Sequence, residues 1–225
     1  MEYRRRRVIT MFLLAGIIII ALAIYAAWQL AQSSHSPQGN GEALATLEAL
    51  PVKGRAPKTG YTRSQFGAGW ATTSGCDTRN IILARDLKRA VVSGSCKVAN
   101  GQLDDPYTGK RITFQRGSGT STAVQIDHVV ALSNAWQTGA QQLSSEQRQQ
   151  LANDPLELLA VDGPANQQKG DGDAATWLPS HKPFRCQYVA RQIAVKRKYH
   201  LWVTTGEKAA MQRVLATCPG QGVPG

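Results

Sequence analysis

Apolar and polar positions divide this chain into three regimes. Residues 8–27 form an apolar run of 20 residues without a charge, which as a helix would rise ~30 Å, the depth of a hydrocarbon core. Arg4-Arg5-Arg6-Arg7 precede the run and Trp28 comes after it, so the positive-inside rule places everything after residue 31 outside the cytoplasm. A retained membrane anchor and a cleaved signal peptide both fit residues 1–31, and either one exports the remainder of the chain. Residues 32–41 are polar and rich in Ser, Gly and Pro, without apolar periodicity. They open a flexible linker, expected over residues 32–60. Within it, residues 42–50 carry Leu44, Leu47 and Leu50 on one side and predict a short helix, broken by the Pro- and Gly-bearing stretch 51–60.

From Tyr61 the pattern alternates between helical and extended periods. Ile81, Ile82, Leu83, Leu87, Val91 and Val92 approach helical spacing, predicting a helix with Thr78 at its N-cap and Gly94 as its stop. Two short β-type runs come next, residues 97–99 with Leu103 and residues 111–114, separated by the turn sequence Asp105-Pro106-Tyr107-Thr108-Gly109. Residues 123–130 (AVQIDHVV) alternate and are β-branched, the strongest strand of the chain. Helical stretches are predicted at 131–140, 145–153, near 166–175, at 184–199 and at 205–216, with a turn at Asp154-Pro155. In the last of them Thr205 and Lys208 depart from a capping box. The class is α+β, in one domain spanning 61–218 with a flexible tail at 219–225.

Composition narrows the partners. A length of 225 residues holds one ordinary domain plus an appendage, and 42% hydrophobic residues can bury a core. Lys and Arg number 26 against 15 Asp and Glu, a net charge of +11. Without Glu2 and the four leading arginines, 22 basic face 14 acidic residues, still +8. This excess favours a polyanion: nucleic acid, anionic lipid or wall polymer. Arg185, Arg191, Lys196, Arg197 and Lys198 concentrate part of it, either as a solvated helix face or as a phosphate-contacting surface. The four cysteines, Cys76, Cys96, Cys186 and Cys218, contain no CxxC pair, which argues against a four-thiolate zinc site. Outside the cytoplasm they oxidise. Three pairings are possible, and proximity along the chain favours Cys76–Cys96 with Cys186–Cys218, each contributing ~3–4 kcal/mol on the chain-entropy model.

Candidate chemistry gathers in Gln125-Ile126-Asp127-His128-Val129-Val130, Asn153-Asp154-Pro155 and Asn166-Gln167-Gln168-Lys169-Gly170-Asp171. A strand ending in Asp-His, a central Asn and a later Asn-x-x-Lys-Gly resembles the HNH nuclease superfamily with its ββα-metal core. The likeness is nearest to the branch at the C-terminus of GmrSD-type restriction endonucleases and in secreted actinobacterial proteins. It extends over Tyr61 to Cys218 and includes Tyr61-Thr62-Arg63-Ser64-Gln65-Phe66-Gly67, Cys76-Asp77-Thr78-Arg79 and Asp105-Pro106-Tyr107-Thr108-Gly109. The resemblance implies a metal-dependent phosphodiester hydrolase with His128 as general base, Asp127 and Asn166 as metal ligands, and Asn153 orienting the His128 ring. Lys169 would pair with a phosphate. Arg79 and Arg185 are further candidates for substrate contact. The family's final histidine position is Asn166 here, favouring Mg²⁺ or Mn²⁺ over a tight zinc site. DNA is the expected substrate ahead of RNA, with low sequence specificity because no separate reading module is apparent. No protein partner is implied, and the membrane is a partner only through an uncleaved N-terminal helix. Two other readings compete: a non-catalytic, membrane-anchored DNA receptor with a degenerate nuclease fold, and a wall-interaction domain gripping acidic polymers.

Overall fold

In the computed structural model, which describes residues 41–224, the strands are gathered into three small sheets and flanked by helices. The apolar run and most of the tether lie outside the described residues. Among the described residues no helix is long and apolar enough to cross a membrane. The elements of this mixed α+β fold are α1 (Glu42–Ala49), β1 (Thr72–Thr73), β2 (Cys76–Asp77), α2 (Thr78–Asp86), β3 (Lys88–Ser93), β4 (Lys97–Asp104) and β5 (Arg111–Gln115). They continue with β6 (Val124–His128), α3 (Leu132–Gln137), α4 (Ser145–Asn153), β7 (Leu158–Asp162), α5 (Gly163–Lys169), α6 (Arg185–Lys198) and α7 (Thr205–Leu215). The pairings β1-β2, β3-β4-β5 and β6-β7 are all antiparallel.

The β6–β7 pair separates two hydrophobic clusters. Leu158 and Ala160 join Val124 and Ile126 in a cluster with Ile82, Leu83, Val98 and Phe114 from α2 and the three-stranded sheet. Leu159 and Val161 face the other cluster, with Val129, Leu151, Tyr188 and Ile193. Successive strand residues point to opposite faces, so a strand buried on both sides needs an uninterrupted apolar run. Leu158-Leu159-Ala160-Val161 is such a run, and with no polar alternation to mark its period it is absent from the strands that the sequence predicts.

Other predictions need correction. Residues 42–50 are not part of a flexible linker. α1 lies against α6 and α7, with Ala43 and Leu47 fully buried and Leu44 left exposed, so the folded body begins before Tyr61. The predicted helix from Thr78 ends at Asp86. Val91 and Val92 belong instead to β3, paired with β4, as suits their branched side chains. Asp77, not Thr78, caps α2 by accepting from the Asn80 amide. The last helix does have a capping box, formed one residue earlier than predicted by Thr204 and Glu207. Both disulfides, Cys76–Cys96 and Cys186–Cys218, form as chain proximity suggested.

Candidate active site

β6 presents its two faces to different neighbours, which settles where Asp127 and His128 go. Gln125 and Asp127 turn toward α5. Gln125 Oε1 accepts from Asn166 Nδ2 at 2.9 Å, and Asp127 Oδ1 accepts from Lys169 Nζ at 2.9 Å. Residues two apart on a strand thus meet residues three apart on a helix, the spacing at which each element repeats a face. α5 is placed for this by Asp162, whose side chain caps the helix at the Ala165 amide. It is also placed by Gly163, where a Cβ would lie 2.1 Å from the Thr122 carbonyl oxygen. Tyr107 donates its hydroxyl to the other carboxylate oxygen, Asp127 Oδ2. Full burial keeps that phenol protonated, with the Asp127 charge acting in the same sense.

His128 lies on the opposite face. Its Nε2 is 3.0 Å from the Ala152 carbonyl oxygen at the end of α4. A carbonyl only accepts, so Nε2 carries the hydrogen and Nδ1 keeps the basic lone pair. The half-buried indole of Trp70 stacks on the imidazole, with ring centroids 5.7 Å apart and planes within 7°. Burial, reinforced by the Arg63 and Lys169 charges and opposed by the Ala152 bond, pushes the His128 pKa down to about 3. The ring is therefore neutral at physiological pH, and the same burial leaves its Nδ1 lone pair weakly basic until the surroundings change.

Several predicted residues sit elsewhere than expected. Among the described residues the Asn153 side chain makes no hydrogen bond to His128. Its Oδ1 accepts from the Ala71 amide at 2.8 Å, fixing the residue that follows Trp70, while the preceding residue's carbonyl holds the ring. Lys169 cannot reach a phosphate in this arrangement, because its ammonium is fully buried between Asp127 and the His128 carbonyl oxygen at 2.8 Å. Arg185 donates to the Pro179 carbonyl and lines a separate depression beside Tyr107 and Trp177. The late basic run is not one free face. Lys196 is buried against Glu207, Lys198 pairs with Asp154, and Arg191 binds the Leu156 carbonyl.

Asp127, His128 and Asn166 do line one cleft of about 690 Å³, together with Arg63, Arg79 and Arg116. Trp70, Arg116 and Glu157 carry no local signal in the sequence that ties them to the site, whereas Arg63 and Tyr107 fall in stretches that the family likeness includes, without a role attached to them. Glu157 holds the backbone just past His128, accepting from the Val130 amide through Oε2 and from the Val129 amide through its carbonyl. Its burial raises the carboxyl well above the usual range, favouring the neutral form.

Among the described residues no three His, Cys, Asp or Glu side chains gather as a closed metal site. Asp127 and Asn166 share one cleft wall: Asn166 spends its amide nitrogen on Gln125 and keeps Oδ1, while each Asp127 oxygen already accepts one hydrogen bond, from Lys169 or Tyr107, and keeps a remaining lone pair. Such a sparse set suits a magnesium-like cation completed by water and substrate phosphate, and does not suit zinc.

The family model for GmrSD restriction endonucleases, C-terminal domain, matches residues 77–214, which contain this whole cleft except Arg63. The chain belongs to that family. A relative from Arthroderma benhamiae, described as an uncharacterized secreted protein, is 41% identical over 175 residues, covering 76% of this chain and 82% of its own. No solved structure matches. Membership in the GmrSD C-terminal family makes a nuclease-type function the frame for the cleft, and Trp70 lies outside the family match.

Proposed function

We propose that this protein is an exported, divalent-metal-dependent endonuclease of the HNH, ββα-metal type that hydrolyses DNA with little sequence preference. What carries the reading is His128: neutral, with Nε2 committed to the Ala152 carbonyl and Nδ1 left as the base, in a cleft shared with Asp127, Asn166 and three arginines. The β6, β7 and α5 succession, with α5 lying across both strands, supports the ββα assignment. The two disulfides support export, since such bonds persist in oxidising compartments, and the relative described as secreted points the same way.

In this mechanism Nδ1 of His128 takes the proton of the attacking water. Ala152 and Trp70 hold the ring against rotation, and Arg63, which lines the cleft with His128, would offset the charge of the attacked phosphate. Asp127 and Asn166 would hold Mg²⁺ or Mn²⁺, which supplies Lewis-acid stabilisation when bound. Lys169 and Tyr107 fix the Asp127 carboxylate from behind rather than touching substrate. By family likeness the products carry 5′-phosphates.

The full-length, oxidised chain incubated with plasmid DNA and Mg²⁺ or Mn²⁺ is expected to nick it, with activity lost on adding EDTA and in His128→Ala. The alternative, a DNA receptor with a degenerate nuclease fold, draws on both Asp127 oxygens being engaged by Lys169 and Tyr107. Salt-sensitive DNA binding by folded protein, without cleavage at any divalent metal, would establish that alternative and overturn the enzyme.

A further inference from the structure

Arg79 and Arg116 are half-buried in the wall of the cleft, and among the described residues neither makes an ion pair. Arg116, just past β5, spends its donors on neutral acceptors: Nε on the Val98 carbonyl at 2.6 Å and one terminal nitrogen on Asn80 Oδ1 at 2.5 Å. The Arg79 guanidinium lies over the Phe114 ring, 5.8 Å from its centroid. Asp77, the nearby acid, has both oxygens taken by Asn80. Burial and then the Arg116 charge lower the Arg79 pKa, the signature of like charges held together. Two part-desolvated cations on one wall, with the hydroxyl-bearing Ser121 and Thr122 beside them, form a place for an anion.

The pair is also pre-organised. Asn80, adjacent to Arg79, accepts from the Val98 amide at 2.9 Å as well as from Arg116. The Cys76–Cys96 bond joins the same two regions, the start of α2 and the turn into β4. Arg116 stands at the Val124 end of β6, because the Gly117 and Ser121 backbones bond to each other in the turn that precedes that strand. His128 ends the strand four residues later, its backbone ~13 Å from that of Val124 at the usual ~3.3 Å per residue, so the arginine pair and the histidine mark opposite ends of β6.

We propose that Arg79 and Arg116 form a phosphate subsite that holds a non-scissile backbone phosphate of the nucleic acid while another is attacked at His128. The identity of the polyanion rests on the nuclease reading, whereas the anion subsite does not require cleavage.

The test uses the full-length chain and a short fluorescent DNA duplex, titrated in EDTA at several NaCl concentrations. Arg79→Gln and Arg116→Gln are each expected to weaken binding about tenfold. The double variant binds little worse than either single, and the slope of log affinity against log salt falls by about 0.9, one phosphate's worth. Arg116→Lys keeps the charge and most of the affinity. In Mg²⁺, the loss of kcat/KM is at least tenfold larger on DNA than on bis(p-nitrophenyl) phosphate, a phosphodiester with no neighbouring phosphate. Circular dichroism and thermal unfolding check each fold; if Arg116→Gln does not fold, Arg79→Gln and Arg116→Lys decide. Wild-type affinity and salt slope in folded variants would overturn the subsite, as would equal losses on both substrates. Should cleavage itself be absent, the nuclease reading fails, and the binding arms still report on the subsite.

Discussion

His128 is the residue whose environment says most about its task. Its proton affinity is held down chiefly by burial, to about 3, against ~6.5 in an unfolded chain. Between these values the unfolded chain binds a proton that the folded chain refuses. The contribution of the neutral ring to stability is therefore full above ~6.5 and is lost as pH falls from there toward 3. In EDTA, the unfolding free energy of the native chain minus that of His128→Gln is expected to change by roughly 1.4 kcal/mol per pH unit across that window. Urea titrations at several pH values would read this, and a flat difference would mean a solvated imidazole. Trp70 maintains the condition by covering one ring face. Trp70→Ala is expected to raise the His128 pKa toward its ordinary value, seen by NMR titration, and to move the acid limb of kcat/KM upward with it. Trp70→Phe, which can still stack, is expected to restore most of both.

At the scale of elements, only half of the hairpin that carries the candidate site is legible in the sequence. β6 announces itself because Val124 and Ile126 alternate with Gln125 and Asp127, which puts the Asp-His pair at a strand end. β7 is hidden because burial on both faces removes that alternation. The partners of the pair are hidden for another reason. Trp70 and Tyr107 reach His128 and Asp127 across long loops, and nothing local in a sequence records such a meeting. Lys169 shows its charge in the sequence but not its burial, hence its assignment to a phosphate and its place beneath Asp127 instead. α5 depends on close backbone approach. Gly163→Ala would place a Cβ 2.1 Å from the Thr122 carbonyl oxygen, forcing helix or turn to move, at an expected cost of about 1–3 kcal/mol. Denaturant unfolding measures the cost, and DNA cleavage is expected to fall as Asn166 shifts from Gln125.

Across the whole molecule, two clusters share the β6–β7 pair as their common wall, and each region carries its own disulfide. Cys186–Cys218 joins the start of α6 to the segment after α7, closing a 32-residue separation. Replacing both cysteines by serine is expected to lower stability by about 3–4 kcal/mol, read as a drop in the urea midpoint. Cys76–Cys96 lies in the other region, where the arginine wall is built. Its replacement is expected to weaken DNA binding as well as stability, which separates the two bonds by readout.

The position of that second bond has a consequence for the cell that makes the protein. A nuclease of low specificity endangers the genome of its own producer for as long as it stays indoors. The cytosol keeps thiols reduced, so on the proposed export route a newly made chain would lack the staple between β2 and the β3–β4 turn until it had left. In an exported nuclease, as proposed above, a bond placed there would work as a safety catch: the grip on nucleic acid would tighten only after the chain and the chromosome were on opposite sides of a membrane.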